Sequence, residues 1–256
     1  MTSKKRRRSL EDYEIVERIG SGAFAVVWKA THKSNGALFA VKQFFTDRLN
    51  PQLRRRIHTE IDVLSRFTHP NIVRLFDVLE DEFSICLVLE YCAGGDLATY
   101  IKEKGRVREA TARRFMQHLG AGLQMLHSAN LIHRDLKPQN LLLSSRDKDV
   151  VLKISDFGLA RELEPGDYAV TVCGSPLYMA PEVLQFQKYD NKVIYKPMLF
   201  ILHLIMLHLI PRLICGVWGQ SSFNLSLGIH PIMGIIIFRS YNRSRSIRFY
   251  SFQSRL

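Results

Sequence analysis

Cysteine is scarce, one end of the chain holds no acid, and no apolar run is long enough to cross a bilayer. The four cysteines, Cys86, Cys92, Cys173 and Cys215, form no CxxC pair and no metal-ligand spacing. That argues against a zinc module and against a disulfide scaffold, and it fits a reducing compartment. No apolar segment follows the basic start Lys4-Lys-Arg-Arg-Arg8, so no secretory signal is read there. The thirteen residues Met198–Ile210 are apolar except for His203 and His208 and are flanked by Pro197 and Pro211. A spanning helix needs about 20 such residues, so membrane association through this run is not expected. The last acid is Asp190, and the 66 residues after it hold none. The net charge of +12 therefore divides unevenly: +5 in residues 4–8, +7 in 194–256, and zero between them. The body is not a basic nucleic-acid binder. The N-terminal run reads as a solvated tail, with a patch for nuclear import or an acidic surface as the alternative. With 46% hydrophobic and 23% charged residues, a fibrous, collagen-like or wholly disordered chain is excluded.

What is present changes texture along the chain. Val26–Ala30 and Leu38–Lys42 are rich in β-formers and separated by Asn35-Gly36, a hairpin signal. Ile57, Ile61 and Leu64 at i, i+4, i+7 predict one helix with a buried stripe. Ile85–Leu89 reads as a short buried strand. From Glu109 to His127, Ala112, Phe115, Met116, Leu119, Leu123 and Leu126 follow helical spacing. A strand-rich first part before a helix-rich second part suggests two lobes with a cleft between them.

Three sets of residues carry chemistry. Ile19-Gly20-Ser21-Gly22-Ala23-Phe24-Ala25-Val26-Val27 is a glycine-rich turn entering a strand. It lacks the GK[ST] ending of a phosphate-binding P-loop, and no helix follows, which also argues against a dinucleotide fold. Its physical use is close approach of backbone N–H groups to phosphate oxygens. Lys42 closes the strand after Ala40, and Glu60 on the following helix is its candidate partner; a lysine held by a carboxylate is a fixed cation for phosphate. The most specific run is His133-Arg134-Asp135-Leu-Lys137-Pro-Gln-Asn140, with Asp156-Phe-Gly158 sixteen residues beyond Asn140 and Ala180-Pro-Glu182 later still.

These motifs stand in the order of the protein-kinase set, and from Tyr13 to Asn191 the chain resembles a eukaryotic Ser/Thr protein kinase. The resemblance implies an α+β bilobal fold. Residues 1–12 would be a basic disordered tail, 13–92 a strand-rich N-lobe and hinge, and 93–192 part of a helical C-lobe. It implies ATP and Mg²⁺ as cofactors, with Asp135 accepting the substrate proton and Lys137 beside it in the Ser/Thr-type pattern. Asn140 and Asp156 would hold the metal, and Lys42 with Glu60 the α- and β-phosphates. Glu90 and Cys92 fall at the hinge that meets adenine and Leu89 at the gatekeeper position; Val27, Ala40 and Leu142 would sandwich the base, and Asp96 would reach the ribose. Thr171 lies where many kinases are phosphorylated, and a phosphate there would pair with Arg134. The wording of Cys173–Asp190, Thr68–Leu75 and Val88–Leu97 is similar to the autophagy-initiating kinases, plant members especially. That implies protein substrates, autophagy-initiation partners and a cytoplasmic location, including membranes where autophagosomes form.

The resemblance ends after Lys192. A kinase should continue with D-x-W-S-x-G in a buried helix below the catalytic loop, but Val193-Ile-Tyr-Lys-Pro follows instead. Codon arithmetic recovers the pattern. From Leu213 on, the last base of each codon is read with the first two bases of the next. Trp218-Gly219 and Met233-Gly234 then each force a glycine, and the other junctions permit D-M-W-S-V-G-A-I-L-F-Q-L-I-F-G-Y-P-P. Val193 codons begin with GT and Arg212 permits AG; the 59 nucleotides between them are not a multiple of three. Residues 193–256 are thus expected to be retained intron followed by frameshifted exon, replacing the lower C-lobe with a non-native tail. Two alternatives to catalysis follow: a non-catalytic product that binds nucleotide or partners or is unstable, and a tail-driven membrane or nucleic-acid binder.

Overall fold

A computed structural model describes residues 10–22, 24–105, 107–164, 167–169, 171–189 and 201. The expectations for residues 1–9, Ala23, the apolar run other than Ile201, and the frameshifted exon lie outside them.

Leu10–Asp12 form a turn of 3₁₀ helix, and Leu10 packs on the upper core, so these three residues are ordered within the tail expected over 1–12. Asp12 is tied down as well, its carbonyl accepting from Lys33 N at 2.9 Å. The upper lobe is built from β1 (Tyr13–Ser21), β2 (Ala25–His32), β3 (Leu38–Phe45), α1 (Pro51–Arg66), β4 (Leu75–Glu80) and β5 (Ser84–Glu90). The strands form one antiparallel sheet in the order β1-β2-β3-β5-β4. Gly36 turns the β2–β3 loop with φ +68°, a conformation that costs glycine little. β3 runs three residues beyond Lys42, which therefore stands inside the strand rather than at its end.

Helix α1 starts where Asn50 accepts from Leu53 N at 2.8 Å and Pro51 fills the first turn. Ile57 and Leu64 are buried as the spacing predicts, but Ile61 is only half-buried. The inward position beside it belongs to Glu60, 3% exposed, so a charge interrupts the apolar stripe.

The lower lobe contains β6 (Gly95–Asp96), α2 (Leu97–Lys104), α3 (Glu109–Ser128), β7 (Leu131–Ile132), β8 (Leu141–Leu143), β9 (Leu152–Ile154), β10 (Arg161–Glu162) and α4 (Pro181–Leu184). β6-β8-β9 and β10-β7 form two small sheets. All six apolar residues predicted for the α3 stripe are buried in the main core. Backbone bonds tie the lobes together: Val73 N donates to Ile154 O and Ile154 N to Asn71 O, at 2.9 and 2.8 Å.

Gly122 lets α3 lie against this junction. A Cβ there would sit 2.8 Å from Ile154 Cδ1 and 3.0 Å from Asn71 O. Gly122→Ala is expected to cost about 1–3 kcal/mol through overpacking, measured as a lower denaturant midpoint with an unchanged slope.

Candidate active site

The sheet register brings the upper half of the site together. Val27 pairs with Lys42, and Ala40 with Leu89. Lys42 Nζ donates to both Glu60 oxygens at 2.8 Å and to Asp156 Oδ1 at 3.4 Å. Burial works against charge on Lys42, but Glu60 and then Asp156 more than offset it and hold the amine above its ordinary value. Burial also pushes Glu60 up while Lys42 pulls it back; the two short bonds fit the ion pair. At Asp156 burial raises the carboxyl, yet Lys42 above all, with Lys137 adding to it, brings it below its usual range. Gly22 N donates to Ala25 O at 2.8 Å, closing the glycine-rich turn, and Ile19 and Phe24 are exposed beside it.

The lower half centres on Asp135. Its Oδ1 accepts from Ser175 N and Ser175 Oγ, both at 2.9 Å. Its Oδ2 accepts from Lys137 Nζ at 2.7 Å and from Asn140 Nδ2 at 3.1 Å. Lys137 also donates to Ser175 Oγ at 3.0 Å. Beneath, the buried His133 accepts from Asp135 N on Nδ1, at 3.2 Å, so Nε2 carries the proton and donates to Ser155 O at 2.9 Å. Burial holds this imidazole below its ordinary pKa, which suits a neutral ring with one donor and one acceptor. Ser155 N and Oγ in turn donate to Asn140 O at 2.9 and 3.0 Å, fixing the approach to Asp156. Arg134 and Asp156 both hold left-handed backbone, φ +66° and +65°, a strain of about 1–3 kcal/mol each for residues with a Cβ.

The remaining predicted residues fall around this centre. Leu142 is half-buried and pairs with Lys153 across β8–β9. Asp96 caps α2, accepting from Thr99 N at 2.9 Å and Thr99 Oγ1 at 2.8 Å. Burial, and then Glu90, push the Cys92 thiol up to about 12, so it stays protonated. Arg134 Nε donates to Leu159 O at 2.6 Å. Thr171 is exposed, and its carbonyl accepts from the Tyr189 hydroxyl at 2.6 Å. Sequence reasoning gave no role to Ser175, Ser155 or His133. Only the neighbouring motif letters pointed to them, because their contacts span up to 40 positions.

A protein kinase domain model matches residues 13–195. The chain belongs to the protein kinase family. Among curated kinases it is 55% identical over 185 residues to Serine/threonine-protein kinase ATG1c of Arabidopsis thaliana, covering 72% of this chain and 25% of that protein. It is 43% identical over 187 residues to Serine/threonine-protein kinase atg1 of Dictyostelium discoideum, covering 71% and 28%. To human Serine/threonine-protein kinase ULK3 it is 43% identical over 185 residues, covering 72% and 39%. The chain thus spans between a quarter and two-fifths of these kinases.

The residues present fit the groups that the kinase family uses. Both amide hydrogens of Asn140 go to Asp135, at 2.8 and 3.1 Å, leaving its amide oxygen for a cation. Asp156 supplies a carboxylate held ionised. One carboxylate and one amide oxygen are hard donors of the type Mg²⁺ takes when phosphates and water complete its shell. Among the described residues no cluster of three His, Cys, Asp or Glu offers a different metal site, and no helix is long and apolar enough to cross a membrane.

Proposed function

We propose that this machinery transfers the γ-phosphoryl group of ATP to Ser/Thr hydroxyls of protein substrates, in the initiation of autophagy. The observation that carries the reading is the Asp135 carboxylate, with donors on both oxygens, tied through His133 to Ser155, the residue before the Asp156 that meets Lys42. Asp135 takes the proton of the attacking hydroxyl, and Lys137 compensates charge beside it. Lys42 grips the α- and β-phosphates. Mg²⁺, held by Asn140 and Asp156, neutralises the phosphate oxygens when bound. Val27, Ala40 and Leu142 enclose adenine, the backbone of Glu90 and Cys92 meets its edge, and Asp96 shares its carboxylate with the ribose. The glycine-rich turn from Gly20 to Ala25 covers the phosphates. Partners are autophagy-initiation proteins, by similarity to the ATG1 kinases, and the location is cytoplasmic. The test is phosphate transfer from ATP to a Ser/Thr peptide by the purified chain, against Lys42→Met and Asp135→Asn.

A second reading applies to this polypeptide as distinct from its parent gene: the catalytic residues are present, but the support beneath them is not encoded in frame. Two forced glycines, at the Trp218-Gly219 and Met233-Gly234 junctions, support it. So do Leu177 and Phe186, large apolar side chains that stand 68% and 80% exposed. Loss of the lower core would exceed the ~5–15 kcal/mol that holds a typical domain folded. The product then binds nucleotide or partners without turnover, or is unstable.

Thr171 is the regulatory site in this reading of the family. A phosphate there adds about −1.5 to −2 charge next to the Tyr189–Arg134 pair. In a reframed protein, Thr171→Ala is expected to lower turnover. Unchanged turnover in a phosphopeptide assay would remove the role.

A further inference from the structure

We infer that Lys153 is a positioning residue for the adenine base, acting through the hinge; the inference rests on the nucleotide-binding reading above. Lys153 is 9% exposed, an unusual place for an ammonium group unless it is paired. Its Nζ donates to Pro70 O at 2.7 Å and reaches Glu90 Oε1 at 3.0 Å. The second Glu90 oxygen accepts from Arg74 N at 3.3 Å, while Glu90 N donates to Arg74 O at 2.9 Å. One cation therefore joins three segments: the loop after α1, the last residue of β5, and β9.

Those segments carry the walls of the base pocket. Lys153 is the register partner of Leu142, which floors the pocket, and Glu90 is the hinge residue. Three residues beyond Lys153 lies Asp156. Side chain and backbone of a single residue thus set the height of the hinge over the floor. His69 and His118 stand near the ammonium group. Burial holds both below the ordinary imidazole range, with Lys153 adding to the effect and Arg114 also acting on His118. Both rings stay neutral, which leaves Lys153 as the cation that faces Glu90 from β9. A buried ion pair of this kind gives little net stability compared with an apolar substitute. What it supplies is a fixed separation, because the ammonium must satisfy Pro70 O and Glu90 together.

The experiment measures dissociation constants of the full chain for Mg·ATP and for adenosine, in the unchanged protein, Lys153→Met, Lys153→Arg, Glu90→Gln and Lys42→Met. Lys153→Met is expected to weaken ATP and adenosine in parallel, about fivefold to tenfold, because a pre-set pocket is lost at the base and not at the phosphates. Glu90→Gln should do the same, and a chain carrying both Lys153→Met and Glu90→Gln, measured beside them, should lose no more than either single variant. Lys153→Arg should recover most of the affinity. Lys42→Met, the control, should weaken ATP while leaving adenosine unchanged. Equal affinity of Lys153→Met and the unchanged chain for both ligands would overturn the inference, as would a loss confined to ATP. Where Lys153→Met unfolds, the Glu90→Gln arm decides by the same criterion. An unchanged chain that binds neither ligand overturns the nucleotide reading itself, and the inference with it.

Discussion

Asp135→Asn is expected to leave ATP affinity within a few-fold of the original and to cut phosphotransfer by at least about a hundredfold. A positioned general base contributes about 10²–10⁴ to such a rate. The shape of the side chain is retained, so the loss is not one of volume. The contacts around it sharpen the effect. Lys137 Nζ and Asn140 Nδ2 both donate to Oδ2, and Ser175 donates twice to Oδ1. An amide placed there must turn its own NH₂ toward one of these donor sets, so orientation is lost with basicity. Lys42→Met acts at the upper cluster, where Lys42 meets Glu60 and Asp156. It removes the phosphate grip and leaves Glu60, 3% exposed, as an unpaired buried carboxylate. Breaking such a pair costs about 3–5 kcal/mol, so this variant should lose thermal stability as well as transfer, and lose more of it than Asp135→Asn. A peptide-phosphorylation assay and a melting curve on the two variants separate the roles. Full turnover in Asp135→Asn would sink the assignment.

The second large effect concerns the protein that the shifted frame would make. Deleting the 59 nucleotides from the Val193 codon into the Arg212 codon restores D-M-W-S-V-G and the apolar residues after it. A buried apolar helix of that length brings several side chains worth about 1.5–3 kcal/mol each into the lower core. If the net gain is about 5 kcal/mol, the melting temperature should rise by about 10–20 °C. Peptide phosphorylation should appear or rise sharply beside the 256-residue chain. Equal melting and equal turnover of the two proteins would refute the frameshift reading. So would genomic sequence across Lys192 that does not permit the shifted pattern.

Much of the fold is legible in the sequence because its periods are local. The α3 stripe and the β2–β3 hairpin need only spacing and a turn signal. α1 shows where that logic fails: Glu60 takes an inward position because Lys42 meets it there, and Ile61 is displaced to the half-buried flank. A local rule broken at a functional residue is what a designed site looks like from the sequence side. The two-residue strands β6, β7 and β10 carry too few residues for any period. The motif residues of the site were legible as letters. Their ties were not, since Ser175 meets Asp135 across 40 positions and Lys153 meets Pro70 across 83. Asp96 reads as a ribose contact in the motif, while in the fold it is a helix cap with both oxygens accepting from Thr99.

The left-handed turns at Arg134 and Asp156 have a consequence for how the molecule comes apart. Each is wound against the preference of its own side chain, so surrounding atoms must hold it, like a latch kept shut by the frame around it. Wherever that frame is thinned, the turns at Arg134 and Asp156 are expected to relax first, and the carboxylates of Asp135 and Asp156 lose their set positions with them.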